Sequence, residues 1–280
     1  MADKDSGDPV FFEGSDNELF AYRGLGKSVV NNNLIRLFIH GGEWLKFKSE
    51  GGLKCLLVDA ELPKKQLQER LREFTGESQG KLKIISPELL RNPKEFPVLS
   101  READQRMFLK HIETFKPDVI VFDTLTRIFR FDTNDPDAWI IVNDFLLDLR
   151  FRGYCVILIH HAGKNNTQRG LTMGDDNLDV SIQLEAPYGW LPGDGLAFKW
   201  VYTKVRHGGK LPGFEAQYTA AGWQMREDER MGDVVKMFKD GKTQRAIARA
   251  LEMSQPTVCR LLRKAANDGL LGGLKVNITA

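Results

Sequence analysis

Eight residues, Ala21-Tyr22-Arg23-Gly24-Leu25-Gly26-Lys27-Ser28, set two glycines, a lysine and a hydroxyl in the spacing of a phosphate loop, with Ala21 where a first glycine is usual. A loop of this kind turns backbone N–H groups inward as a nest for an anion. Here the nest would be drawn from Arg23, Gly24, Leu25, Gly26, Lys27, Ser28 and Val29. Gly24 and Gly26 lack a Cβ and can take the backbone angles that such a nest needs. Lys27 would reach the outer phosphates of a nucleotide, and the Ser28 hydroxyl would hold Mg²⁺. A helix after the loop would aim its positive end at the same phosphates. The competing reading is a glycine-rich turn before a helix, so the rest of the chain has to supply the other groups that phosphoryl chemistry requires.

Those groups come in order. Asp123 closes the apolar run Asp118-Val-Ile-Val-Phe-Asp123, at the strand end where open α/β sheets bind ligands. Its expected task is to hold the water shell of Mg²⁺. Glu61 follows the strand ending Val58-Asp59 and could act as general base on the attacking water, with Asp59 as second candidate. Glu61 could equally be a favourable charge at a helix start just before Pro63. His160 and His161 end a third apolar strand. No third ligand stands at useful spacing, so zinc is rejected, and His160 is expected either to sense the γ-phosphate by a hydrogen bond or to be a satisfied sheet-edge histidine.

These motifs need a sheet to carry them. Lys54–Asp59, Lys81–Ser86, Asp118–Asp123 and Tyr154–His160 read as strands, with a weaker one at Glu18–Ala21. Between them Val29–His40, Pro63 to about Phe74, Arg101–Phe115 and a helix opened by Asp135-Pro136 and stopped near Gly153 have helical spacing. Continuous apolar strands alternating with amphipathic helices predict a mainly parallel α/β sheet covered on both faces. Short strands at 179–185, 197–203, 214–219 and 222–225 predict an antiparallel extension. Residues 1–17 read as a polar, mobile segment, the main domain as 18–226 and a helical unit as 227–280.

The loop, the post-strand glutamate, Val-Phe-Asp123, Ile-His160-His-Ala-Gly-Lys164 and Gln168-Arg-Gly170 occur in the order and spacing of RecA-type ATPases. The chain resembles most the branch containing the plasmid RepA hexameric helicases and the DnaB-type replicative helicases, over roughly residues 14–220. That resemblance implies ATP and Mg²⁺ as cofactors and a homo-oligomer, in this branch a hexameric ring around single-stranded DNA. Lys204-Val-Arg206-His-Gly208 is similar to the late strand pair of those helicases. By that similarity Lys204 and Arg206 would reach the nucleotide of a neighbouring subunit, unless they are solvated hairpin charges. Gln168 and Arg169 would face DNA in the ring's channel.

The last fifty residues hold nine Lys and Arg against four Asp and Glu, on a chain of 280 residues with a formal charge of +2. A basic tail on a mildly acidic body suggests contact with nucleic acid. Three helical patterns start near Met231, at Gln244 after the cap Thr243, and at Gln255 after Ser254. A short turn between the last two predicts a helix-turn-helix, similar to resolvase-like and winged DNA-binding domains. Gln255, Thr257, Arg260 and Lys264 would face the major groove of duplex DNA, and Gln244 and Arg245 its backbone. Glu252 stands where such turns often use Gly, and residues 270–278 could form a wing. The alternative is a small bundle for protein contacts.

Hydrophobic residues at 42% and charged residues at 28% are ordinary for a globular protein, no apolar run is long enough for a membrane span, and the first residues lack the character of a signal or transit peptide. Cys55, Cys155 and Cys259 lie far apart, which argues against a disulfide framework and places the protein in the cytoplasm. Together these features predict an ATP-hydrolysing, DNA-associated motor of helicase or replication type. A nucleotide-switched DNA-binding regulator is the second reading, and an ATPase acting on a protein partner the third.

Overall fold

The computed structural model describes residues 1–22, 24–72, 80–162, 177–191, 193–207, 211–226, 230–267 and 269–272. The chain forms β1 (Ala2–Asp3), β2 (Asp16–Ala21), α1 (Lys27–His40), β3 (Gly42–Trp44), β4 (Phe47–Ser49), β5 (Cys55–Asp59), α2 (Lys64–Arg72), β6 (Leu82–Ile85), α3 (Glu102–Phe115), β7 (Val119–Asp123), α4 (Leu125–Phe129), α5 (Pro136–Phe151) and β8 (Cys155–His161). It continues with β9 (Val180–Glu185), β10 (Ala197–Val205), β11 (Phe214–Thr219), β12 (Gly222–Arg226), α6 (Arg230–Lys239), α7 (Gln244–Ala250) and α8 (Gln255–Asn267).

Nine strands join in the order β12-β11-β10-β9-β2-β8-β7-β5-β6. From β9 to β6 every pairing is parallel, and from β9 to β12 every pairing is antiparallel. Strands β5, β7 and β8 are apolar on both faces because both faces are covered. Leu57, Val121, Ile157 and Ile159 pack with Val30, Leu34 and Phe38 of α1. Leu56, Ile120, Phe122 and Leu158 pack with Phe108, Ile128 and Phe145 of α3, α4 and α5. Removing one such side chain to Ala costs about 2–5 kcal/mol.

The N-terminal region corrects the sequence expectation. Residues 1–17, read from sequence as a polar, mobile segment, include parts of the fold. Val10 and Phe11 are buried in the main core, β1 pairs with β4, and β2 begins at Asp16 rather than Glu18. The signal was hidden because Asp16, Asn17 and Glu18 are polar yet buried. Asn17 Nδ2 donates to Val156 O at 3.0 Å, and Ser181 Oγ donates to Glu18 Oε2 at 3.0 Å, so polar side chains hold a central strand. The small sheet β1-β4-β3 was not anticipated either. Phe47 on β4 is buried against Trp200 and Phe214, which seats that sheet on the antiparallel extension.

In the C-terminal unit, α6, α7 and α8 share a core of Met231, Val234, Ile247, Val258, Leu261 and Leu262. Thr243 Oγ1 caps α7 by accepting from Ala246 N at 3.2 Å. The turn before α8 places Glu252 at φ 50°, the left-handed conformation that glycine adopts most readily. Most of the expected wing, and Arg23, Gln168 and Arg169, lie outside the described residues. Among the described residues no helix is long and apolar enough to cross a membrane.

Candidate nucleotide-binding site

Strand β2 delivers the loop at the centre of the sheet, between β8 and β9. Gly24 and Gly26 have φ of 90° and 79°, and a Cβ on Gly26 would come within 3.1 Å of Leu196 Cδ2. Both glycines are therefore needed for the turn itself. Ala21 is not: it is still on the strand, paired with His161 and Leu184, and its side chain is buried in the core. Helix α1 opens at Lys27 with Gly26 in its N-cap position, so its first N–H groups face the loop. Lys27 is buried, and its Nζ donates to Ala21 O at 2.9 Å and Tyr22 O at 3.2 Å. The ammonium is thus held at the mouth of the loop.

The carboxylates assemble on neighbouring strands. Asp59 and Asp123 are register partners at the ends of β5 and β7, and both are buried. Asp59 Oδ1 accepts from Glu61 N and Leu62 N, both at 2.9 Å, and Ala60 N donates to Asp123 O at 2.8 Å. Asp59 therefore shapes the turn after β5, which presents Glu61 in a partly exposed position.

His160 is not the strand-end group that was expected. Strand β8 runs one residue further, and alternation turns His160 to the face away from α1. There it is buried, with Nε2 2.8 Å from Glu18 Oε1. His161 occupies the end instead, with Nε2 3.4 Å from Glu61 Oε1. Sequence reasoning missed His161. The alternation of Ile157 and Ile159 toward α1 was the signal that could have found it.

Lys204 and Arg206 lie elsewhere. Strand β10 runs antiparallel to β9, so its end returns to the start of β2: Val205 pairs with Val180, which pairs with Asn17. Arg206 N donates to Asp179 O at 2.8 Å, and Asp179 N donates to Asp16 O at 2.7 Å. The five steps of β2 from Asp16 to Ala21 span about 17 Å. Neither side chain reaches the loop of its own chain.

The start of β2 has its own electrostatics. Asp16 and Asp179 lie side by side, with Arg150 Nη2 3.5 Å and Arg206 Nη1 3.8 Å from Asp179 Oδ1. Burial pushes the Asp16 carboxyl up to about 7, with Arg150 and Arg206 opposing that shift and Asp179 adding to it.

In the C-terminal unit Arg245 Nε donates to Gln255 Oε1 at 3.4 Å, and Thr257 Oγ1 lies 2.8 Å from Ser254 Oγ at the start of α8. Gln244 is the first residue of α7. Arg260 and Lys264 are exposed on α8 and border a cavity of about 630 Å³ whose other walls include Lys46, Lys199, Trp200, Arg226 and Arg230. Two of the expected groove-facing residues thus border the antiparallel part of the main sheet.

Comparison with known proteins agrees with this architecture. A homeodomain-like domain matches residues 224–275, the region of the three C-terminal helices. A KaiC-like protein from the hyperthermophilic archaeon Pyrococcus horikoshii OT3 is similar in structure, with a TM-score of 0.56 and 17% identity over 79% of this chain and 92% of that one. At that identity the likeness shows a shared RecA-like fold. No curated protein matches the chain. The AAA domain matches residues 10–167, which take in the loop, Glu61, Asp123 and the two histidines, and the chain belongs to that AAA-domain family of P-loop ATPases.

Proposed function

We propose that this protein is an ATP-hydrolysing motor of the RepA and DnaB kind, which assembles head to tail and acts on DNA. One observation supports the reading: Arg206, just past the end of β10, lies at the opposite end of β2 from its own loop, so as a finger it would have to serve a second copy. In this account the N–H groups of residues 23–29 cradle the phosphates, and Lys27 exchanges its carbonyl partners for the outer phosphate oxygens. Glu61, beside His161, orients the attacking water and accepts its proton. Lys204 and Arg206 of the next subunit meet the charge that develops on the transferred phosphoryl group.

The residues present fit Mg²⁺. The Ser28 hydroxyl and the Asp123 carboxylate are hard oxygen donors of the type that ion selects. Among the described residues no group of three His, Cys, Asp or Glu side chains could hold a metal alone, so phosphate and water would complete its shell. When bound, Mg²⁺ supplies charge neutralisation at the phosphates.

The helix-turn-helix would add duplex contacts through Gln244, Arg245, Gln255, Thr257, Arg260 and Lys264, and Gln168 and Arg169 would meet single-stranded DNA. The second reading, a DNA-binding regulator switched by nucleotide, is favoured by one feature. Arg260 and Lys264 share a cavity with residues of the ATPase domain, which would give a switch a place of contact between the two units. ATPase assays at fixed salt separate the two. A motor is stimulated several-fold by single-stranded DNA and stops with Lys27→Ala. Indifference to single strands, together with tight binding to a duplex site lost in Arg260→Ala, would favour the regulator.

A further inference from the structure

Asp179 stands directly before β9 and is fully buried. One residue there gathers three parts of the chain. Its Oδ2 accepts from Asp16 N at 3.0 Å, and its carbonyl oxygen accepts from Arg206 N at 2.8 Å. Its Oδ1 faces Arg150 Nη2 at 3.5 Å, Arg206 Nη1 at 3.8 Å and His207 Nε2 at 3.1 Å. The ring of His207 also packs edge-on against Phe12, at 5.9 Å between centroids.

A buried carboxylate requires a cation, and Arg150 on α5 already supplies one from within the fold. Arg206 and His207 converge on the same oxygen from the segment after β10. Asp179 accepts from the main chain of Arg206 and faces its side chain as well, and that side chain stays about one-third exposed (34%). A cation anchored from behind yet open at the surface is prepared to meet charge outside its own chain. Preorganisation of this kind is what allows a donor to stabilise developing charge without first having to be ordered.

We propose that Asp179 is a positioning residue for Arg206, holding it at the subunit surface in the pose from which it reaches the nucleotide of a neighbouring copy. The inference rests on the shared-site reading above. It assigns to Asp179 no contact with the nucleotide, only control over where Arg206 stands.

The experiment mixes full-length variants and measures ATPase activity, beginning with Arg206→Ala plus Lys27→Ala. Each lacks one half of the shared site, so mixed oligomers should regain activity that neither has alone. Absence of that gain from oligomers shown to be mixed would sink the shared-site reading, and the role of Asp179 with it. The second mixture is Asp179→Asn plus Lys27→Ala. Asp179→Asn alone should lose about tenfold or more in kcat, short of the roughly 10³-fold that removal of an arginine finger can cost, with KM for ATP unchanged. Lys27→Ala partners, whose Arg206 is correctly held, should restore part of that loss. If the first mixture recovers and the second does not, the Asp179→Asn defect lies in its own subunit and the positioning role is wrong. Full activity of Asp179→Asn alone would overturn it equally. Asp179→Glu guards against misfolding: retaining the charge, it should recover most of the turnover. A Glu variant that assembles but is as slow as Asn would contradict the proposal.

Discussion

At the C-terminal end of β2 the backbone turns through Gly24 and Gly26 into a helix N-terminus and Lys27, with the carboxylates set two and three strands away. At its N-terminal end, five residues earlier, the arrangement is reversed. Two buried carboxylates, Asp16 and Asp179, form the centre, and Arg150, Arg206 and His207 gather around them. One end is built to receive an anion. The other is built around buried carboxyl groups, with two arginines beside them. Stacking copies head to tail would bring the unlike ends together, and within one chain they stay about 17 Å apart.

The largest expected effect comes from emptying the receiving end. Lys27→Ala should abolish measurable turnover and weaken nucleotide binding, read by ATPase assay and by titration with a fluorescent ATP analogue. Unchanged binding would mean that the loop is only a turn. At the cation-holding end, Arg206→Ala should lower kcat by roughly 10³-fold while leaving nucleotide binding by the isolated chain intact. A matching loss of binding would place Arg206 in its own chain's site and erase the contrast.

A stability effect specific to the carboxylate end follows from Asp16. Its folded pKa, about 7, lies well above the ordinary aspartate value of 3.8. A raised folded pKa contributes stability that is complete below the unfolded value and is lost as pH rises through the folded one. Asp16→Asn should therefore be more stable relative to the parent at pH 8 than at pH 5, by on the order of 2–4 kcal/mol, with thermal melts as the readout. A difference that does not change with pH would show that the group is not held neutral. The smallest effect is at the loop end. Ala21→Gly should cost about 0.5–1 kcal/mol and leave turnover unchanged, because Ala21 belongs to the strand and not to the nest.

How far the sequence revealed each end follows from the same contrast. The receiving end was legible because its signals are local: a loop of fixed spacing, and carboxylates closing apolar runs such as Val-Ile-Val-Phe-Asp123. Bounds there were off by one residue, and in a strand one residue is one face: β8 ends at His161, while His160 faces Glu18 as a satisfied histidine. The cation-holding end was not legible. Asp16 and Asp179 lie on segments 163 residues apart, and the polar run Asp16-Asn17-Glu18 reads as surface although it is buried. Arg206 was found only through resemblance to a family, and nothing in its neighbourhood in sequence points to Asp179.

The account's central claim is that a working site takes one half from each of two copies. The most direct test follows ATPase activity per chain through a dilution series, with molecular mass measured at each concentration in the presence of ATP and single-stranded DNA. The account predicts an oligomer at high concentration and a specific activity that falls with it as the copies separate. A monomer hydrolysing ATP at an undiminished rate would contradict it.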